Sequence, residues 1–183
     1  MTDKTDATYG SVSRLNHWIG AAVFSSLLIV GFVLSYDVLP DEQAGEVRNL
    51  HKATGTLVLA FAIWRVTWRI GQGFPAPASG RAGWELTLSK AVHAALLLAL
   101  IIMPLSGVLM SLLGGRPIDM YGLFSIPPVA EMKDVARTLR QVHAYAGYTL
   151  AILIGMHFAG AMKHAVIDRD ATLRRMLTGK TGS

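Results

Sequence analysis

Histidine is the residue of this sequence whose type and spacing are best suited to chemistry. The six imidazoles all lie in or beside long apolar stretches, at His17, His51, His93, His143, His157 and His164. An imidazole in hydrocarbon costs free energy unless it is paired, so histidines inside a membrane are candidates for function. A single one is explained as well by a hydrogen bond between helices or by its position at a helix end. Several histidines at matched depths in the membrane favour a functional site.

The spacing of four of these histidines predicts two pairs. His143 and His157 are fourteen residues apart, which is nearly four helical turns. On one helix they would share a face and lie about 21 Å apart along the axis. By depth in the predicted helices, His51 lies level with His143, and His17 lies level with His157.

Two imidazoles on facing helices are the axial ligands that a six-coordinate b-type haem requires. We therefore predict two haem b groups, one bound by His51 and His143 and the other by His17 and His157. A glycine follows each of these histidines by three or four residues, at Gly20, Gly55, Gly147 and Gly160. Small residues leave room for a flat macrocycle between helices about 10 Å apart, although they also promote helix packing in general.

Other histidine chemistry is less well supported. Sites for zinc, copper or iron ions usually gather three or four ligands that include carboxylates or thiolates. The sequence has no Cys, which also excludes c-type haem attachment, and no acidic residue lies inside the apolar stretches. A histidine-lined transporter remains open.

The elements that must position the histidines are four apolar stretches. The chain is 52% hydrophobic and 16% charged, with a mean hydropathy of +0.41, which is too apolar for an ordinary soluble domain. Each stretch is long enough to cross about 30 Å of hydrocarbon as a helix. The predicted spans are Leu15–Tyr36, Leu50–Ile70, Leu88–Leu113 and His143–Ile167. We predict an all-α integral membrane protein, an antiparallel four-helix bundle with short loops in one domain of residues 1–183.

Breaker residues predict the connections. The first, "YDVLPDEQAGEVRN", is interpreted as a turn because it contains Pro40, Asp41 and Gly45. The second, "GQGFPAPASGRAGWE", is rich in Gly and Pro. In the third, Gly and Pro punctuate the first half, and Val129–Gln141 is predicted to be a short surface helix that runs into the fourth span. Pro104 predicts an ordinary kink in the third span.

The positive charge indicates orientation rather than nucleic-acid binding. If both termini lie on one side, that side collects most of the Lys and Arg residues. The positive-inside rule then places both termini in the cytoplasm. The isoelectric point near 9.7 is explained by these basic flanks, and nucleic acid is not an expected partner.

Four ordered motifs resemble the bacterial cytochrome b561 family, the four-helix dihaem cytochromes related to the cytochrome b subunits of formate dehydrogenases and nickel–iron hydrogenases. The motifs are "RLNHW", "NLHKATG", "AVHAALLLALIIMPLSGVLMS" and "VHAYAGYTLAILIGMH", and together they cover nearly the whole chain. The resemblance implies bis-histidine haem b, a position in the bacterial inner membrane and electron exchange with the quinone pool. One type in this family oxidises superoxide at the periplasmic side and passes the electron to ubiquinone. The other interpretation is an electron-relay subunit that serves a partner dehydrogenase or hydrogenase.

Two further groups of residues are candidates at the cytoplasmic end. Arg14, together with Arg65 and Arg69, lies near the expected level of the His17 haem and could pair with its propionates. These arginines are explained equally well as the basic anchor at the membrane surface. His93 is predicted to border a quinone site and to move protons, because imidazole titrates near neutrality. His164 is a second candidate there, or an interfacial residue.

A basic surface is predicted around the periplasmic haem. Lys133, Arg137 and Arg140 share one face of the short helix, and Lys52 approaches the same end from the second span. Such a surface would concentrate a small anion such as superoxide. It could also be an ordinary solvated face, partly neutralised by neighbouring acids, or a docking patch for an acidic periplasmic redox protein. The residues predicted to act in catalysis are Lys52, His93, Arg137 and Arg140.

Overall fold

The computed structural model describes residues 9–73 and 83–179, and these are almost entirely helical. The helices are α1 Ser11–Ser35, α2 Asp41–Gln72, α3 Gly83–Leu112, α4 Lys133–Met162 and α5 Thr172–Leu177. A π-helical turn, Lys163–Ile167, continues α4. The predicted all-α class is confirmed.

Three of these helices have the length and composition of membrane spans. Within the described residues they are α1, α3, and α4 together with its π-helical turn. Helix α2 is not among them. Lys52, Arg65 and Arg69 fall inside its predicted span, and basic side chains within a span oppose insertion into hydrocarbon. The chain is therefore a multi-pass membrane protein in which α2 is the most polar of the long helices.

The four long helices share one apolar core. Helix α3 packs against α4 and α2, and α1 packs against α2 and α4. The buried side chains of this core come from every long helix, and they are Phe24, Val58, Ala62, Ala99, Leu100 and Leu150. Their burial is what fixes the relative positions of the helices that carry the histidines.

The helices extend beyond the predicted apolar stretches. The chain turns over residues 36–40, but the predicted extension of this turn to residue 49 was wrong, because α2 begins at Asp41. Pro40 is the N-cap residue, and Asp41 and Glu42 lie in the first turn, where negative charge stabilises the positive end of a helix. The predicted surface helix and the fourth span are one continuous helix, α4. Most of the predicted second loop, residues 74–82, lies outside the described residues.

A small hairpin, absent from the sequence prediction, covers one end of the long helices. Strands β1 Ile118–Asp119 and β2 Ser125–Ile126 pair antiparallel. Tyr121 and Gly122 turn the chain with φ values of 58° and 74°. Ile118 is fully buried against Ala53 and Leu112. We call this the hairpin end, and the opposite end, where α1 begins and α4 finishes, the terminal end.

At the terminal end the chain folds back towards α1. The Trp18 indole N–H donates to the carbonyl of Met176, 3.2 Å away. Asp170 accepts a hydrogen bond from the Thr172 amide at 2.8 Å and starts α5. Burial acts to raise the pKa of Asp170, but the hydrogen bonds from Thr172 and the neighbouring His164 outweigh it and hold that pKa below its ordinary value. The carboxylate that starts α5 is therefore ionised at neutral pH.

Candidate functional site

The structure brings His51 and His143 together at the hairpin end. His51 comes from α2 and His143 from α4, and their ring centres are 6.4 Å apart with the planes at 87°. Both rings are half-buried. The two residues lie far apart in sequence, so only the packing of α2 and α4 around the shared core positions them.

Helix α3 fixes the orientation of the His143 ring. The Nδ1 atom lies 2.9 Å from the carbonyl oxygen of Met103 and 3.2 Å from the hydroxyl of Ser106. A carbonyl oxygen can only accept, so Nδ1 carries the proton and donates it. The Nε2 atom then keeps a free lone pair, which is the arrangement found in metal-binding histidines.

A small cavity of about 60 Å³ lies beside the two rings of the hairpin end, and His51, Gly55, Gly107 and His143 line it together with mainly apolar side chains. The Nδ1 atom of His51 is buried and has no hydrogen-bond partner.

Gly107 determines how closely α3 approaches the His143 ring. A Cβ atom at Gly107 would lie 3.0 Å from the Cε1 atom of His143. We expect Gly107→Ala to displace the ring, break its bond to Met103 and weaken cofactor retention at the hairpin end. Gly155→Ala is the matched control, because a Cβ there meets nothing within 4 Å. Haem content per chain in mild detergent measures the effect, and equal content in the two variants would contradict it.

The second predicted pair meets at the terminal end. The ring centres of His17 on α1 and His157 on α4 are 6.0 Å apart, with the planes at 62°. His93 of α3 also reaches this place, and its ring centre lies 5.2 Å from that of His157. Three imidazoles therefore gather at the terminal end, compared with two at the hairpin end.

Arg65 of α2 also reaches the terminal-end pair. One guanidinium nitrogen, Nη1, donates to the carbonyl oxygen of Asn16, and the other, Nη2, lies 3.4 Å from Nδ1 of His17. Within the described residues no carboxylate forms an ion pair with Arg65. The terminal-end pair thus has a cation beside it, whereas a carbonyl oxygen holds the hairpin-end pair.

Not all the predicted accessory residues lie next to the pairs. The Arg14 side chain fills the space beside Gly179, at the end of α5. Gly20 lies under the Arg65 guanidinium, and Gly147 faces Met103. A Cβ at Gly160 would meet nothing within 4 Å. Their roles towards a cofactor stay predictions.

The predicted basic residues of the hairpin end differ in how they are held. The Lys52 ammonium donates to the carbonyl of Pro117 at 2.6 Å and so fastens the hairpin to α2. Arg137 pairs with Asp134 at 3.2 Å on the exposed face of α4, and Arg140 is exposed. Arg116, which the sequence interpretation did not include, lies near enough to Lys52 to interact with it electrostatically.

His164 belongs to an ion-pair network rather than to either histidine pair. Its Nδ1 atom lies 3.0 Å from Asp168 and 2.9 Å from Asp170. The Lys163 ammonium contacts Asp168 at 2.8 Å and Glu85 at 3.0 Å. The two carboxylates near His164 therefore already have cationic or hydrogen-bonding neighbours. This network ties the end of α4 to α3 and to the segment before α5.

Comparison with known proteins identifies the family. The family described as "Prokaryotic cytochrome b561" matches residues 8–179. The chain belongs to the prokaryotic cytochrome b561 family. It is 31% identical over 180 residues to "Cytochrome b561 homolog 2" of Escherichia coli (strain K12), which covers 98% of this chain and 95% of the relative. It is also 24% identical over 172 residues to "Probable superoxide oxidase CybB" of Yersinia pestis, covering 91% and 93%.

Membership of the cytochrome b561 family implies binding of b-type haem and membrane electron transfer. The histidine pairs fit such a group by distance. A metal–imidazole bond is about 2.0 Å long, so two imidazoles on one metal have ring centres about 6 Å apart. The separations of 6.0 Å and 6.4 Å meet this requirement, whereas the 5.2 Å between His93 and His157 is too short. The free Nε2 of His143 fits in the same way.

Proposed function

We propose that this cytochrome b561 family member carries electrons across the bacterial inner membrane from superoxide to ubiquinone. Two superoxide anions each lose one electron at the periplasmic side and become dioxygen. Ubiquinone takes up the two electrons together with two protons at the cytoplasmic side and becomes ubiquinol. Bound haem b supplies one-electron redox chemistry at both ends of this path. The chain's own residues bind the haems, attract the donor and deliver protons.

The proposal rests on one observation: two pairs of imidazoles lie at opposite ends of α4. His143 and His157 share one helix, and each has a partner ring from another helix at about 6 Å. On this basis His51 and His143 bind one haem b, and His17 and His157 bind the other. The rise along α4 separates His143 from His157 by about 21 Å, and haems held at these two levels would bring their macrocycle edges closer than that for electron transfer.

The proposed orientation assigns the hairpin end to the periplasm. With α2 as a fourth crossing, α1 to α4 form an antiparallel bundle and both termini are cytoplasmic. The free-energy cost of placing α2 in the membrane is reduced because its cations are bonded to protein groups. Arg65 faces the terminal-end pair and donates to Asn16, and Lys52 donates to the hairpin. Polar side chains inside a membrane are tolerated where they are paired and face protein.

The donor is proposed to approach at the hairpin end. Lys52 and Arg116 lie beside the hairpin, and Arg137 and Arg140 lie on the first turns of α4, which begins at the proposed periplasmic surface. Two acidic residues neutralise part of this group, through the pairs Lys133–Glu131 and Arg137–Asp134. The remaining positive charge favours a small anion over a neutral donor. The relative named "Probable superoxide oxidase CybB" supports superoxide as that anion.

Quinone reduction is proposed at the terminal end, with His93 as the proton-donating residue. The imidazole of His93 lies beside His157 and 3.4 Å from the Ser89 hydroxyl. The ring is therefore next to the proposed haem without being at ligand distance from a shared iron. A side chain in that position can hydrogen-bond a quinone oxygen and pass it a proton.

The test is electron transfer in sealed proteoliposomes of known orientation that contain ubiquinone. Superoxide supplied only at the hairpin side should reduce both haems within one rapid phase, and ubiquinol should accumulate at one per two superoxide consumed. Heat-inactivated protein controls for the spontaneous dismutation of superoxide. A chain that reduces only one haem, or that forms no ubiquinol, would contradict the proposed path. Reduction by a partner dehydrogenase but not by superoxide would favour an electron-relay subunit.

A further inference from the structure

The two histidine pairs have opposite electrostatic surroundings. At the hairpin end the Nδ1–H of His143 donates to the carbonyl of Met103 at 2.9 Å. At the terminal end the Arg65 guanidinium lies 3.4 Å from Nδ1 of His17. A carbonyl oxygen withdraws part of the Nδ1 proton and makes the imidazole a stronger electron donor. A guanidinium has no acceptor atom for an Nδ1 proton, so Arg65 acts on the His17 imidazole through its positive charge alone, which has the reverse effect.

Arg65 is held where its charge acts on the terminal-end pair. Its Nη1 atom donates to the carbonyl of Asn16, and its Nε atom is buried without a hydrogen-bond partner. Asn16 is itself buried and accepts a hydrogen bond from the Trp64 indole at 3.4 Å. The guanidinium is partly buried and lies 3.4 Å from the imidazole of His17, so its field there is screened less than that of an exposed charge.

The described residues place no corresponding cation at hydrogen-bond distance from the hairpin-end pair. Lys52 follows His51 in sequence and lines the same cavity, but its ammonium donates to the carbonyl of Pro117. Among the residues that the structure describes, no Lys or Arg nitrogen is within hydrogen-bond distance of the His51 or His143 rings. The asymmetry between the two ends is therefore a property of α2. This helix places Arg65 beside the terminal-end pair, whereas at the hairpin end the ammonium of Lys52 binds the carbonyl of Pro117.

We propose that Arg65 is a positioning residue that acts through His17 to make the terminal-end haem easier to reduce than the hairpin-end haem. An iron bound by two imidazoles carries one more positive charge when oxidised than when reduced. A neighbouring cation disfavours the oxidised state, and the carbonyl of Met103 favours it at the other end. The electron on the hairpin-end haem then moves to the terminal-end haem, which is reduced as the first is oxidised. This inference rests on the proposed dihaem function and gives it a direction.

The experiment is a redox titration of the purified haem-loaded protein, followed in the visible spectrum. In the wild type, the wave of the terminal-end haem should lie at the higher potential. The waves are assigned by comparison with His143→Ala and His157→Ala, each of which should retain one of them. In Arg65→Gln, which removes the charge but keeps a polar side chain, the ratio of reduced to oxidised terminal-end haem at fixed potential should fall about tenfold. That change is about 59 mV for a one-electron couple.

The controls separate charge from structure. Arg65→Lys keeps the charge and should restore most of the wild-type wave. Lys90→Gln removes an exposed cation from the same end and should leave both waves in place, because water screens it.

Two low-spin haems with unchanged waves in Arg65→Gln would overturn the inference and leave the proposed function standing. If Arg65→Gln loses haem, the order of the two midpoint potentials in the wild type decides. A terminal-end haem with the lower midpoint potential overturns the inference. A wild-type protein with fewer than two haems would instead contradict the proposed function.

Discussion

His157→Ala is expected to retain one haem b per chain where the wild type retains two, and the haem that remains is the one at the hairpin end. The imidazole of His157 is one of two axial ligands at the terminal end, and alanine offers no replacement. His143→Ala should give the complementary result and keep only the terminal-end haem. Pyridine haemochrome content per chain, with low-spin signals in electron paramagnetic resonance, measures both variants.

The partner of His157 is tested by a matched pair of variants at the same site. His17→Ala should lose the terminal-end haem, because the 6.0 Å between the His17 and His157 ring centres suits a shared iron. His93→Ala should keep both haems and slow ubiquinol formation, because His93 lies only 5.2 Å from His157. The reverse outcome, with haem lost from His93→Ala and kept in His17→Ala, would show that the pairing is wrong. Full stoichiometry in His143→Ala would refute the hairpin-end pair.

Charge reversal on α4 is expected to slow haem reduction by superoxide at least about tenfold at low ionic strength, within the range of about 10 to 1,000-fold for electrostatic steering. The variant is Arg137→Glu combined with Arg140→Glu. Both arginines are exposed, so the change leaves the apolar core untouched. Asp134, which pairs with Arg137 at 3.2 Å, would then add an unpaired negative charge. The measurement is the stopped-flow rate of haem reduction at several salt concentrations.

The control for net charge reverses two exposed cations at the opposite end, in Lys90→Glu with Arg174→Glu. This variant should reduce at the wild-type rate, because the two changes lie far from the proposed donor surface and salt screens them. In the α4 variant, high salt should remove most of the difference from the wild type. A slow rate that responds neither to salt nor to charge reversal would argue against superoxide. An electron-relay role with a protein partner would then be the better interpretation.

The apolar runs of the sequence predicted the centres of the helices well but not their ends. Hydropathy detects the part of a helix that meets hydrocarbon, whereas the hydrogen-bonded backbone continues into water where the local sequence allows it. Asp41 and Glu42 after Pro40 allow the helix to continue at the start of α2, where Asp41 and Gly45 had been interpreted as breakers. The hairpin escaped prediction because each strand has two residues, too few for an alternating pattern to register.

The histidine pairs could be predicted from depth alone, because both members of each pair lie at equivalent heights in antiparallel helices. The residues that orient the histidine rings could not be predicted in this way. Ser106 and Gly107 touch His143 from α3, and their contact depends on the rotation of α3 about its axis, which hydropathy does not give. The available signal was the occurrence of two small residues, Ser106 and Gly107, two and three positions after Pro104 in a span. Arg116 was missed because its nearness to Lys52 requires the hairpin to fold back over α2.

Because each histidine pair draws one ring from α4, neither pair exists in a chain that has been synthesised only as far as α3. Domains and membrane helices are made from the N-terminus onwards, so the imidazoles of α1 and α2 have no partner ring until α4 has been made. Under the proposed ligation, capture of the cofactor is then a late step in biogenesis, and chains arrested before α4 are expected to be found without haem.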